Sequence, residues 1–152
     1  MGINIRQLTH EIIIPTLEYL GNSSPAAVAL ILGTICQESG CGTFLRQYPC
    51  GPALGICQME TATHDDIWTN YLANRVQLRF TIRQRWGENP LASKMLHDLS
   101  YAVAMCRIHY ARVKEPLPQT HDLEGLAGYW KTYYNTPQGA GTVSEFIANW
   151  HK

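Results

Sequence analysis

The segment 26–38, AAVALILGTICQE, constrains this chain more than any other feature. It is apolar on nearly every side of a 3.6-residue repeat, so a helix built from it has no face to offer to water. Such a helix must run through the centre of a fold with other elements around it. Its ends are marked in the sequence. Ser24-Pro25 supplies a capping hydroxyl followed by proline at the first helical position. Gly40 and Gly42 supply the stop. A chain of 152 residues, 45% hydrophobic and 16% charged, has enough apolar material to enclose one central helix and too little length for two domains. A single domain over 1–152 is expected.

The remaining periodicities are also helical. Ile5, Leu8, Ile12 and Ile13 have core spacing within 4–20, where Pro15 should kink or end the helix. Thr63, with Asp65 and Asp66 behind it, starts another through Ile67, Trp68, Tyr71 and Leu72. Residues 76–82 fit a strand by alternation and a helix by the shared face of Leu78, Ile82 and Trp86; helix is the preferred reading. After Pro90, an amphipathic stripe (Leu96, Leu99, Val103, Cys106, Tyr110) predicts one long helix ended by Pro116 and Pro118. A short helix follows over 122–133. The last starts at a Thr142-x-x-Glu145 capping box and turns Phe146, Ile147 and Trp150 inward. Residues 41–58, rich in Gly, Pro and Cys, read as a loop or a short hairpin around 43–57. The expected class is all-α or α-dominated.

Composition excludes several functions. Net charge is zero and the pI near 7.0, so nothing draws the chain as a whole toward nucleic acid or an anionic surface. The longest apolar run, 26–32, is too short to cross a bilayer, so no membrane insertion is expected. No signal peptide is read at the N-terminus, where a basic region before a long apolar stretch is missing. The six histidines show no HExxH or other metal spacing. Of the five cysteines (Cys36, Cys41, Cys50, Cys57 and Cys106), four lie within 36–57, but without paired CxxC knuckles, and Cys36 is on an apolar helix face. Free thiols are therefore expected, with a Cys41–Cys50 disulfide bracketing the loop as the alternative in an oxidising compartment. No metal and no cofactor is expected.

Glu38 is the residue with chemistry to offer. It ends the buried helix, where burial disfavours its charged form and the negative end of the helix dipole acts in the same direction. A carboxyl group raised toward neutrality can protonate a leaving oxygen, which glycosidic cleavage requires. The alternative is a solvated glutamate in a last turn.

The chain here resembles a known family. Glu38-Ser39-x-x-Gly42, then Gly55-x-x-Gln58-x-x-x-Ala62-Thr63, then Tyr134-Asn135, is similar to the motif series of the lysozyme-like soluble lytic transglycosylase superfamily, its bacteriophage members above all. The resemblance runs as short blocks over 23–147 and implies an α+β lysozyme-like fold with the central helix ending at a catalytic glutamate. It implies cleavage of the β-1,4 bond between N-acetylmuramic acid and N-acetylglucosamine in peptidoglycan. Glu38 would be the acid/base. Ser39, Gly55 and Gln58 would line the substrate, and Tyr134 and Asn135 would form the tyrosine-asparagine block, with Tyr134 (Tyr133 if the register slips) bonding near the catalytic carboxyl. Three positions depart from the pattern: Thr61 stands where proline is usual, Thr136-Pro137 replaces Ala-Gly, and Glu60 occupies a site more often apolar. Glu60 is the natural second acid if the product comes from water rather than from the sugar's own 6-hydroxyl, and Asp65 and Asp66 are the alternatives to it. The implied partners are glycan strands and, for a virion-borne protein, phage virion components. A phage holin or a virion would carry a leaderless enzyme from the host cytoplasm to the periplasmic wall. A non-catalytic virion or wall-binding domain is the competing class.

Outside these blocks, Arg75, Arg79, Arg83 and Arg85 read as a solvated helix face, and Arg107 as a partner for a buried carboxylate or carbonyl. Trp68, Trp86, Trp130 and Trp150 read as core.

Overall fold

The computed structural model describes residues 2–136 and 138–152. Two helices buried along most of their length organise it. The first, α2 (Pro25–Ser39), starts where Ser24 Oγ accepts from the Ala27 N–H at 3.1 Å and stops at Gly40, whose φ of +57° only glycine adopts cheaply. Most of its apolar side chains are buried, with Val28 and Leu32 only partly covered. Gly33 lets the last helix, α8 (Val143–Trp150), approach closely. A Cβ there would lie 2.3 Å from Phe146 Cζ.

Before it, α1 is continuous through Ile5–Gln7, Leu8–Ile13 and Ile14–Tyr19. Of the two outcomes expected at Pro15, an end is not found, because the helix runs on to Tyr19. The turn ahead of the proline widens into a π-segment over Leu8–Ile13, which makes room for a ring lacking an N–H.

The two-stranded sheet spans 53–60 and so reaches past the expected 43–57. Strands β1 (Ala53–Leu54) and β2 (Met59–Glu60) pair antiparallel, Ala53 with Glu60 and Leu54 with Met59. Within 43–57 the preceding loop pairs with β1 through the Arg46–Leu54 bridge, the Gln47 N–H donating to Ala53 O and the Gly55 N–H to Leu45 O. The helix α3 begins at Thr61, two residues before the expected start, and runs through Thr61–Asp66, a π-segment Ile67–Tyr71 and a 3-10 turn Leu72–Asn74. Asp66 is not a first-turn residue. It pairs with Arg112 at 2.8 Å.

Residues Val76–Trp86 form α4, which turns Ile82 and Trp86 inward. Its arginines meet nearby carbonyls and rings: Arg79 reaches Ala73 O, Arg83 reaches Glu88 O, and Arg75 lies 3.8 Å over the Tyr71 ring. The single helix expected after Pro90 is two, α5 (Lys94–His97) and α6 (Leu99–Ala111), because Asp98 turns extended and caps the second by accepting from the Tyr101 N–H. Moreover α6 is not a surface stripe. From Tyr101 to Ile108 every side chain is buried, Ala102 and Ala104 included, which makes it the second central helix. Arg107 donates to the backbone and side-chain oxygens of Asn22.

The chain closes with α7 (Leu123–Trp130), which continues as a π-segment over Lys131–Asn135, and with α8. Both bonds of the Thr142/Glu145 capping box are made. The fold is α-dominated, with one two-stranded sheet among the described residues. Among the described residues, no helix is long and apolar enough to cross a membrane.

Candidate active site

Glu38 stands one residue before the end of α2, where the helix leaves the core and meets the hairpin and the end of α7. Its backbone is placed by the buried helix, and its carboxyl is held by one donor. Trp130 donates Nε1–H to Glu38 Oε1 at 2.8 Å. The indole is itself fully buried, against Phe146 and the backbone of Gly141. Burial raises the Glu38 pKa to about 7, and the Trp130 bond opposes that rise by favouring the carboxylate. At neutral pH the group is thus poised between acid and base.

The carboxyl opens onto a cleft in two parts. The larger, of about 440 Å³, is walled by Gln58, Met59 and Glu60 of the hairpin on one side, and by His109, Tyr133, Tyr134 and Asn135 on the other. The smaller, of about 280 Å³, continues from Glu38, Gln47 and Gln58 toward Phe44 and Tyr48. These two rings stack at 5.2 Å and are 40% and 73% exposed, an apolar platform facing water. Glu38, Gln47, Ala53 and Gln58 border both parts, so the carboxyl sits between two places where successive units of a polymer could lie.

Several expected residues meet in this cleft. Gln58 lines it with φ of +50°, its Nε2 donating to Gly55 O at 2.8 Å. Glu60 lines it too, exposed at the end of β2 where α3 begins. Asn135 is held by Lys131, whose Nζ also reaches Gly139 O and Gly141 O, so one ammonium group shapes the far wall. Thr136 borders the cleft, while Pro137 of the departing Thr136-Pro137 pair lies outside the described residues.

Other expectations change. Tyr134 borders the cleft with Glu38 and bonds beside the carboxyl, not to it: its hydroxyl donates to Cys57 O at 2.6 Å, tying the end of α7 to the hairpin turn. The carboxyl's donor is Trp130, which the sequence reading had assigned to the core. Trp130 and Tyr134 are one helical turn apart, and that spacing was the available signal. Neither Ser39 nor Gly55 faces the cleft. Ser39 is fully buried, donating to Ile35 O and accepting from the Gly42 N–H, so it fixes the turn behind Glu38. Gly55 has φ of +79°, and a Cβ there would come within 2.4 Å of Met95 O. Its part is the turn. Asp65 bonds His64, and neither Asp65 nor Asp66 borders the cleft.

Behind Tyr134 lies a layer that sequence reasoning missed. Arg112 donates to His109 Nδ1 at 2.6 Å, so the ring proton is on Nε2 and goes to Tyr133 O at 3.1 Å. Burial and the adjacent guanidinium lower the His109 pKa to about 4, so this cleft-lining imidazole is neutral. Asp66, Arg112 and His109 in series thus brace the Tyr133–Tyr134 backbone.

The cysteines are free thiols, the expected state, and the alternative Cys41–Cys50 disulfide is not formed. Cys41 Sγ lies 2.6 Å from Cys36 Sγ, while Cys50 is exposed in the loop. Among the described residues, no three His, Cys, Asp or Glu side chains are grouped to hold a metal ion.

No protein-family model matches the chain, and no curated protein or solved structure matches it either.

Proposed function

We propose that this protein cleaves peptidoglycan glycan strands at the β-1,4 bond between N-acetylmuramic acid and N-acetylglucosamine, as a lysozyme-like enzyme of the soluble lytic transglycosylase kind. The observation that carries the reading is Glu38, a carboxyl with a pKa of about 7 at the junction of a two-part cleft. A polymer lying through both parts presents its linking oxygen to that group. Protonated Glu38 gives its proton to the glycosidic oxygen, the C1–O bond breaks, and the 4-hydroxyl leaves. The resulting carboxylate takes the proton of the muramyl 6-hydroxyl as that oxygen closes on C1, leaving a 1,6-anhydro end. Trp130 assists at that stage because its N–H favours the charge Glu38 acquires.

One observation supports a second reading. Glu60 borders the same cleft, and a second carboxylate can activate water and yield a reducing end. Digestion of purified sacculi followed by mass analysis of the muropeptides separates the two. Anhydro ends that persist in Glu60→Gln support the transglycosylase, and reducing ends that vanish in Glu60→Gln support the muramidase. Identical sacculi after wild-type and Glu38→Gln treatment refute both, and leave a non-catalytic virion or wall-binding domain.

A further inference from the structure

We infer that Cys36 and Cys41 are a disulfide-forming pair that closes the turn behind Glu38 when the chain meets a disulfide oxidant. The inference does not depend on the glycosidic reading. The two sulfurs are in contact at 2.6 Å, one from the last turn of α2 and one from the turn that follows. The backbone beneath them is held from both sides. Cys41 N–H donates to Ile35 O, and Cys41 O accepts from the Ile3 N–H at 2.7 Å. Cys41 also has φ of +55° between Gly40 at +57° and Gly42 at +83°. A side chain in the middle of three left-handed residues is disfavoured where glycine would serve, and the one present brings a thiol onto Cys36.

Access distinguishes this pair from the other. Cys57 and Cys106 also touch, but they are 1% and 0% exposed in the core. Cys36 and Cys41 open onto a surface cavity of about 350 Å³ shared with Ile3, Ile5, Asn149 and Lys152. Cys41 is the more exposed of the two and reacts first. Its thiolate attacks one sulfur of the oxidant, here glutathione disulfide, and one glutathione thiolate leaves. Cys36 then loses its proton to solvent and attacks the Cys41 sulfur of the mixed disulfide, expelling the second glutathione. Two protein thiols are oxidised and one glutathione disulfide is reduced. Burial disfavours the Cys36 thiolate, so the second step is the slower.

The test uses the reduced full-length chain, incubated with glutathione disulfide, alkylated and digested with trypsin. Because no lysine or arginine lies between Arg6 and Arg46, Cys36 and Cys41 share one peptide, 7–46, whereas Cys50 and Cys57 share 47–75. The expected product is peptide 7–46 lighter by two hydrogens and unalkylated, in wild type and in Cys50→Ser alike. The linked form should melt about 5 °C above the reduced form, a difference absent from Cys41→Ser. Cys36→Ser should stop at a glutathione adduct on Cys41. Peptide 7–46 joined to 47–75, alkylation of both Cys36 and Cys41 after oxidation, or a glutathione adduct on wild-type Cys41 that never resolves would each overturn the inference.

Discussion

Replacing Trp130 with phenylalanine removes one hydrogen bond from Glu38 and leaves an aromatic ring against Phe146. The indole N–H is the bond that holds the Glu38 pKa down against burial. A hydrogen bond to a charged acceptor contributes about 1.5–3 kcal/mol, and one pKa unit corresponds to about 1.4 kcal/mol. Glu38 keeps some contact with water through the cleft, which replaces part of the lost bond, so the lower end applies. The Glu38 pKa should therefore rise by about one unit from its value of about 7. Trp130→Phe also leaves a gap beside Gly141, destabilising the fold by about 1–2 kcal/mol, which a denaturation curve measures separately. The direct assay is a pH titration of the ¹³C-labelled Glu38 carboxyl by NMR, paired with the pH dependence of muropeptide release. The alkaline limb of activity should move up with the pKa. A folded variant whose Glu38 titrates at or below the wild-type value would show that Trp130 does not hold the carboxylate, and the account of the site would fail.

Glu38→Gln should abolish muropeptide release and stabilise the protein. Folding raises the Glu38 pKa from 4.5 to about 7, so the native state binds more protons between those values and Glu38 lowers stability as pH rises through them. The advantage of the variant should be near zero at pH 4 and reach about 3 kcal/mol by pH 8 in urea melts, and a pH-independent difference would contradict this. His109 acts in the opposite direction. Its pKa falls from 6.5 to about 4 on folding, so the stability it contributes is lost as pH drops through that window, and His109→Gln should flatten the acid limb of the stability profile. Gly55→Ala drives a Cβ onto Met95 O at a positive φ, so urea denaturation should show a loss of about 3 kcal/mol; an unchanged midpoint would mean the turn is not so confined. Phe44→Ala combined with Tyr48→Ala should raise KM for soluble glycan fragments about tenfold while kcat stays within about twofold; a kcat loss at unchanged KM would remove the platform from substrate binding.

The helices were legible where the pattern is local. Ser24, Gly40, Thr142 and Glu145 mark ends whose hydrogen bonds involve only near neighbours in the chain, and those ends fall where the residues require. The structure departs from the sequence pattern where two local signals compete or where a neighbour in space decides. Pro15 is absorbed by a widened turn, Asp98 divides the expected helix in two by capping Tyr101 three residues on, and α6 is enclosed well beyond its expected stripe by the elements packed around it. The hairpin position depended on Gly55 packing against Met95, a residue far along the chain.

At the candidate site the division is the same. The sequence by itself determined that a carboxyl ends a helix too apolar to lie outside the core, and burial alone is enough to raise its pKa. It also supplied the hairpin glutamine and the asparagine that border the cleft. Only the tertiary structure decided which donor meets that carboxyl, because Trp130 comes from a helix 92 positions along the chain and Tyr134, one turn further, points to Cys57 instead. The fold also separated the residues that face the cleft from Ser39 and Gly55, which shape the backbone behind it. A side chain's chemical type is written in the chain, but its partner is set by helices that meet only after the core has closed.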